Sequence, residues 1–253
     1  MVALDGFINL LRDRFPEDRL TWQKAVPTFH PETAGEAAAL VSLANQERQK
    51  LFIAGFGNQI DPVGDRFQSV LAIKSDRLNR VVKVVPADYY VTVGAGYPLR
   101  ELNKTLSRDD LFLPHADLPY VGSVGGALAI GLTCRYYEHL LPISRYFIKA
   151  TIADPQGNVI EPGSACFKSV SGLDIVKIFS PSWGLLGMII EATFRVMPVS
   201  GRDDYGSLPM EPVDYEKFAG TYSDPGDNVS AQYSLKIKEK FDPRAVFDLI
   251  LPG

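Results

Sequence analysis

The spacing of apolar side chains divides the chain into an early stretch of alternating helix and strand and a later stretch richer in strands. Leu4, Phe7, Ile8, Leu11 and Phe15 recur at helical intervals and predict a short amphipathic helix. Its polar face carries Asp5, Arg12 and Asp13 rather than lysines, which favours packing on the chain's own core over a membrane or a partner. From Glu32 to Gln49, Ala37, Val41 and Ala44 share one face, acidic residues lie near the start and Thr33 can cap it, so a second helix is expected. Leu51–Ala54 is an apolar run bounded by Lys50 and Gly55, the pattern of a buried strand. Ser69–Ile73, Val81–Val85 and Tyr90–Val93 read as further strands, Gly94-Ala95-Gly96 breaks the last of them, and a helix restarts over Pro98–Leu106.

Further on, Phe147–Ala153 and Val159-Ile160 flank Asp154–Asn158, a Pro- and Gly-containing hairpin turn. Met188–Met197 alternates between faces and reads as one long strand. Residues 199–230 are rich in Gly, Asp, Pro and Tyr with little periodicity, and read as a linker or loosely structured arm. A last helical or strand element covers Ala231–Phe241. The whole is a mixed α/β chain.

Composition narrows the function classes. With 46% hydrophobic and 22% charged residues over 253 positions, the chain is of ordinary globular make-up. A net charge of −4 leaves no basic excess for nucleic-acid binding. Two cysteines, Cys134 and Cys166, are too few for a disulfide framework and lack zinc-site spacing, so no metal is expected and a reducing compartment, the cytoplasm, is. The longest apolar stretches, such as Gly184–Ala192, are about half the roughly 20 residues that a membrane-spanning helix needs. No integral membrane segment is therefore expected, which leaves at most a peripheral association. The unusual abundance is glycine, 21 residues with many in clusters.

Three of these clusters are candidates for ligand binding. Gly55-Phe56-Gly57 follows a predicted buried strand, where a tight turn can aim backbone N–H groups at an anion; an ordinary strand-end turn has the same composition. Val121–Ala129 (VGSVGGALA) has small residues that let the backbone approach a flat ligand, or equally a neighbouring element. Gly184–Ile189 (GLLGMI) enters a predicted strand after Ser180-Pro181-Ser182-Trp183, and is either a ligand-presenting loop or a β-turn. Three such loops in one acidic chain favour a phosphate-bearing cofactor more than any one does.

In order, PADYYVTVGAGYPLRELNKTL…LFLPHADLPYVGSVGGALA and FKSVSGLDIVKIFSPSWGLLGMIIEATFRVMP resemble the flavin-binding domain of FAD-linked oxidases, the vanillyl-alcohol-oxidase/PCMH superfamily. The nearest subgroup is the glycolate oxidase FAD-binding subunit with its D-lactate dehydrogenase relatives, and the likeness spans about residues 27–198. FDPRAVFDLILPG resembles that family's closing FDP…NPG segment, altered at Asp248 and lengthened by three residues. The resemblance implies an α+β PCMH-type FAD-binding fold of two α/β subdomains, with a short C-terminal arm in place of a substrate (cap) domain. The implied organisation is an N-terminal helical segment (1–24), an FAD-binding domain (25–198, with subdomains of about 25–96 and 97–198) and the arm (199–253).

By position, the resemblance assigns Ala54, Gly55, Phe56, Gly57, Asn58 and Gln59 to the first pyrophosphate loop. It assigns Gly122, Ser123, Val124, Gly125 and Gly126 to the second flavin-contacting segment, and Gly184, Gly187 and Ile189 to the adenine side. Lys168, Gly172 and Asp174 match a further family turn. No His stands at the flavin-tethering position of the first loop and no Cys in the second, so non-covalent FAD is implied. Pro181 and Tyr137 replace family glycines and are expected to narrow or alter the groove.

The implied activity is oxidation of a 2-hydroxy acid, glycolate- or D-lactate-like, with electrons passed to a partner or a quinone. With the cap missing, a partner subunit is expected to complete the site. The other reading is a non-catalytic binding or assembly subunit that keeps the fold. Hydride transfer from a hydroxy acid needs a base, for which His115 and His139 are the candidates, and a cation, for which Arg135 is one. Each has an ordinary structural alternative: core packing for the histidines and a surface ion pair for Arg135. His30, beside Pro31, is expected at the surface, Cys134 and Cys166 as spectators, and Tyr89-Tyr90 and Tyr136-Tyr137 in strand packing.

Overall fold

Strands β1 (Leu20–Gln23) and β2 (Val26–Phe29) form a tight antiparallel hairpin, with Lys24 and Ala25 at its turn both at positive φ. This computed structural model describes residues 4–58, 67–165, 175–205, 208–224 and 226–250. The chain then crosses through helix α2 (Ala34–Glu47) to β3 (Lys50–Ala54) and β4 (Val70–Lys74), which run parallel to β2 and give a sheet of order β1-β2-β4-β3. Thr33 caps α2 by accepting from the Glu36 N–H at 3.1 Å. Ahead of this sheet lies α1 (Leu4–Arg14), whose Phe7 and Leu11 are fully buried, as the helical spacing predicts.

The second sheet is antiparallel, of order β11-β10-β12-β6-β5, from β5 (Val81–Val85), β6 (Tyr90–Gly94), β10 (Phe147–Ala153), β11 (Val159–Ile160) and β12 (Met188–Arg195). The sheets thus divide between Lys74 and Val81, earlier than residue 96, because β6 finds its partner in β12, about a hundred positions further along. Between β6 and β10 lie α3 (Leu102–Leu106), β7 (Leu111–Phe112), α4 (Val124–Ala129) and the hairpin of β8 (Thr133–Tyr136) with β9 (His139–Pro142). A two-residue strand, β13 (Met197–Pro198), returns to β7.

Helix α2 joins the two sheets. Its Ala37, Leu40, Val41 and Ala44 share one core with Leu51, Leu71 and Ile73 of the first sheet and Ala153, Met188 and Ile190 of the second. Strand β12 is buried on both faces rather than one. Ile189 and Glu191 pair with the consecutive residues Ile152 and Thr151, so Ile190 is the extra residue of a bulge. The bulge lets Met188 and Ile190 face the α2 core, whereas Ala192 and Phe194 join Ile189 in the core beyond the sheet. At the end of β6 the sheets touch: a Cβ on Gly96 would lie 1.8 Å from the Ser75 carbonyl oxygen, so only glycine fits there.

Three expectations are corrected. His30 is buried, 5% exposed, because its ring is held from both sides, with Nε2 2.8 Å from the Thr21 hydroxyl and Nδ1 2.8 Å from the Asp76 carboxylate. Burial would raise the Asp76 carboxyl, but the hydrogen bond and charge of His30 carry it below the usual carboxylate range. The 199–230 stretch is not a loose arm: it contains a 3₁₀ turn (Val199–Asp204) and helix α5 (Tyr215–Ser223), followed by α6 (Val229–Phe241). Tyr137 takes no part in strand packing; it stands 77% exposed at the β8–β9 turn.

Helix α6 leads into a closing segment that adds a strand-like contact to the open edge of β3. The Leu51 N–H donates to the Val246 carbonyl at 2.8 Å and the Asp248 N–H to the Leu51 carbonyl at 3.0 Å. Asp242, 2% exposed, fixes this turn by accepting from the Val246 N–H at 2.9 Å, the Phe247 N–H at 3.0 Å and the Lys238 ammonium at 2.5 Å. Burial lowers the Lys238 ammonium below the usual lysine range, against the pull of Asp242.

Candidate cofactor cleft

The C-terminal end of β3 runs directly into the loop Gly55–Asn58, and α4 packs across that loop. A Cβ on Gly55 would come within 2.8 Å of the Ser123 hydroxyl, so the loop and α4 approach as closely as a bare backbone allows. Ser123 caps α4 by accepting from the Gly126 N–H at 3.1 Å. The Asn58 side-chain amide donates to the Val121 carbonyl, tying the first glycine segment to the second. The third is held by the Ala129 carbonyl, which accepts from the Ser182 N–H at 3.1 Å and the Trp183 N–H at 2.9 Å.

These contacts bring all three glycine segments onto one cleft of two chambers, the larger spanning about 640 Å³ including space open to solvent. Ala54, Gly55, Phe56, Gly57, Asn58, Gly122 and Gly126 line it. A second chamber shares Ala54, Gly55 and Gly126 and adds Gly125, Gly184, Gly187 and Ile189. Ser123 and Val124 do not line either part; both are buried behind it, Ser123 as the cap. Gln59, Lys168, Gly172, Asp174 and Cys166 lie outside the described residues.

The catalytic candidates lie elsewhere. His115 is fully buried in the core beyond the second sheet, and as its Nε2 lies 2.9 Å from the Leu141 carbonyl, that nitrogen carries the proton. Burial pulls its pKa down to about 4, so the ring is neutral at pH 7. His139 is exposed on β9, in the hairpin outside the cleft. Arg135 forms a partly exposed ion pair with Glu211 at 3.0 Å. Cys134 is buried, and burial pushes its thiol up to about 11, which makes it inert. Pro181 packs over Gly131 and does not narrow the cleft.

Sequence reasoning missed other parts of the lining, among them Tyr120, Trp183, and from the arm Tyr215, Asp248 and Leu249. The closing segment's likeness to a family tail was the only hint of the last two. Asp248 is the one charged side chain among the described lining residues, so an anion here would be held by backbone N–H groups and neutral side-chain donors rather than by a cation. Burial pushes the Tyr120 phenol up to about 12, leaving it a hydrogen-bond donor at pH 7. No group of His, Cys, Asp and Glu side chains able to hold a metal occurs among the described residues, and no helix there is long and apolar enough to cross a membrane.

A narrow, largely apolar cleft walled by glycine-rich backbone at the end of a parallel strand defines a nucleotide-cofactor domain. The chain belongs to the FAD binding domain family, whose model matches residues 27–163. It is 26% identical over 172 residues to L-gulonolactone oxidase of Mus musculus, covering 67% of this chain and 37% of that protein. It is 24% identical over 197 residues to D-lactate dehydrogenase of Anaerostipes hadrus, covering 74% and 40%. The chain therefore spans less than half the length of these relatives. A solved alkyldihydroxyacetonephosphate synthase shares the fold, with a TM-score of 0.65 at 20% identity over 78% of this chain and 44% of that one. FAD is the cofactor of this family, and the cleft fits it: side-chain-free positions admit an extended ligand, and Phe56, Tyr120 and Trp183 offer flat apolar walls.

Proposed function

We propose that the chain is the FAD-binding part of an oxidoreductase that oxidises a 2-hydroxy acid of the glycolate or D-lactate kind and hands its electrons to a partner or a quinone. The observation that carries the cofactor part is the convergence of three glycine segments, far apart in sequence, on one cleft. The substrate class rests on the motifs shared with the glycolate oxidase subunit and on the likeness to a D-lactate dehydrogenase.

Bound FAD supplies the two-electron acceptor. In this reading Gly55–Asn58 hold the pyrophosphate through main-chain N–H groups, Gly122, Gly125 and Gly126 admit the cofactor's rings against α4, and Gly184, Gly187 and Ile189 line its other end. Tyr120 donates a hydrogen bond rather than accepting a proton. The chain is to be mixed with FAD, desalted and its visible spectrum recorded. Stoichiometric retained flavin is expected; a colourless protein rejects the proposal.

One observation favours a second reading, a binding or assembly subunit without catalysis of its own. Among the described lining residues there is no His, Lys or Arg to take the hydroxyl proton or hold a carboxylate. Anaerobic mixing with glycolate, D-lactate and related hydroxy acids separates the two, because bleaching of the flavin by the isolated chain supports the first.

A further inference from the structure

We infer that Trp183 and Tyr215 form an aromatic wall that holds a flat ring of the cofactor, so that cofactor binding and docking of the C-terminal arm stabilise each other; this rests on the FAD reading above. Trp183 is held with φ at 49°, a left-handed conformation disfavoured for a bulky residue. Its N–H is fixed to the Ala129 carbonyl of α4 at 2.9 Å, which leaves the indole at the cleft.

The arm supplies the other half. The Tyr215 ring lies 4.5 Å from that of Trp183, centroid to centroid, and Phe218 lies 5.4 Å away on the next turn of α5. The Tyr215 hydroxyl donates to the Ile250 carbonyl, so α5 and the closing segment reach the cleft as one unit. That segment is in turn hydrogen-bonded to Leu51, three residues before the first glycine loop begins to turn at Ala54. The cofactor cleft is therefore built by two parts of the chain, which at the cleft itself meet through the Trp183–Tyr215 rings and the β3 edge. A ligand touching both binds the docked form preferentially, and by reciprocity its binding secures the docking.

The test uses the full chain carrying Trp22→Phe, which leaves Trp183 as the single tryptophan. FAD is titrated while Trp183 emission is followed, with FMN and ADP as separate titrations. Quenching by FAD is expected, shared by FMN if the isoalloxazine meets the wall and by ADP if the adenine does. In parallel, trypsin cleavage at the exposed Lys236 and Lys240 of α6 is timed with and without saturating FAD, and slowing of several-fold is expected. Tyr215→Ala should weaken FAD binding roughly ten-fold, with Tyr215→Phe restoring most of it. Should Tyr215→Ala not fold, the trypsin comparison on the unmutated arm decides. FAD retained with unchanged Trp183 emission and unchanged arm cleavage overturns this inference and leaves the cofactor reading standing. Failure to retain FAD at all overturns both.

Discussion

The hydroxyl of Ser123 occupies the space that a side chain on Gly55 would fill, with 2.8 Å between its oxygen and an ideal Cβ. The same oxygen caps α4, so the closeness of the first glycine loop and the cap of the second segment depend on one atom. Gly55→Ala should displace Ser123, cost about 1 kcal/mol for the lost cap and weaken FAD binding. A Gly55→Ala/Ser123→Gly double variant should be less damaged than the sum of the two single changes, as read by a double-mutant cycle in urea.

Asp242 is the sharper stability test. Its carboxylate satisfies two buried N–H groups and the Lys238 ammonium. Asp242→Ala strands both donors and leaves the ammonium without its counter-charge, with only the Phe247 carbonyl to accept from it, and should cost roughly 3–5 kcal/mol. Lys238→Met leaves Asp242 with its two backbone donors and should cost clearly less. Equal losses in chemical denaturation would show that the pair, rather than the carboxylate, holds the closing segment.

His115 sets a pH dependence. Unfolded, it takes up a proton near its ordinary 6.5, whereas folded it resists until about 4. Between those values the unfolded chain binds more protons, so stability falls as pH drops through that window, by ~3 kcal/mol at its lower end. The contribution is absent above pH 6.5. His115→Phe should flatten this acid limb in urea midpoints measured from pH 7 to 4.

Cys134 should be silent toward thiol reagents. In a Cys166→Ser background, Ellman's reagent at pH 8 should find no thiol until the protein is unfolded, given full burial and a pKa near 11. Rapid labelling of the native protein would show that the β8–β9 hairpin opens over the core.

Much of the fold was legible because its elements are local. Helix α2 with its Thr33 cap, the strands that follow and the Asp154–Asn158 turn each carry their own spacing or turn chemistry within a dozen residues. In the arm an element at Ala231–Phe241 was legible, though not that it is a helix, and α5 was not, since what holds the two helices is tertiary: Trp183 against Tyr215, and Asp242 on a turn that pairs with β3. His30 was misplaced for the same reason, since Asp76 reaches it from 46 positions away.

By itself the sequence determined which segments have small residues and so could let a backbone approach a ligand, because the absence of a Cβ is a property of each residue. It could not determine that the three segments meet, nor that His115 lies in the core and not at the cleft. Those depend on β6 pairing with β12 and on the closing segment seating on β3, contacts between residues far apart in the chain. Only the tertiary structure decided them, because long-range pairing is fixed by which edges and faces remain open once the local elements have formed.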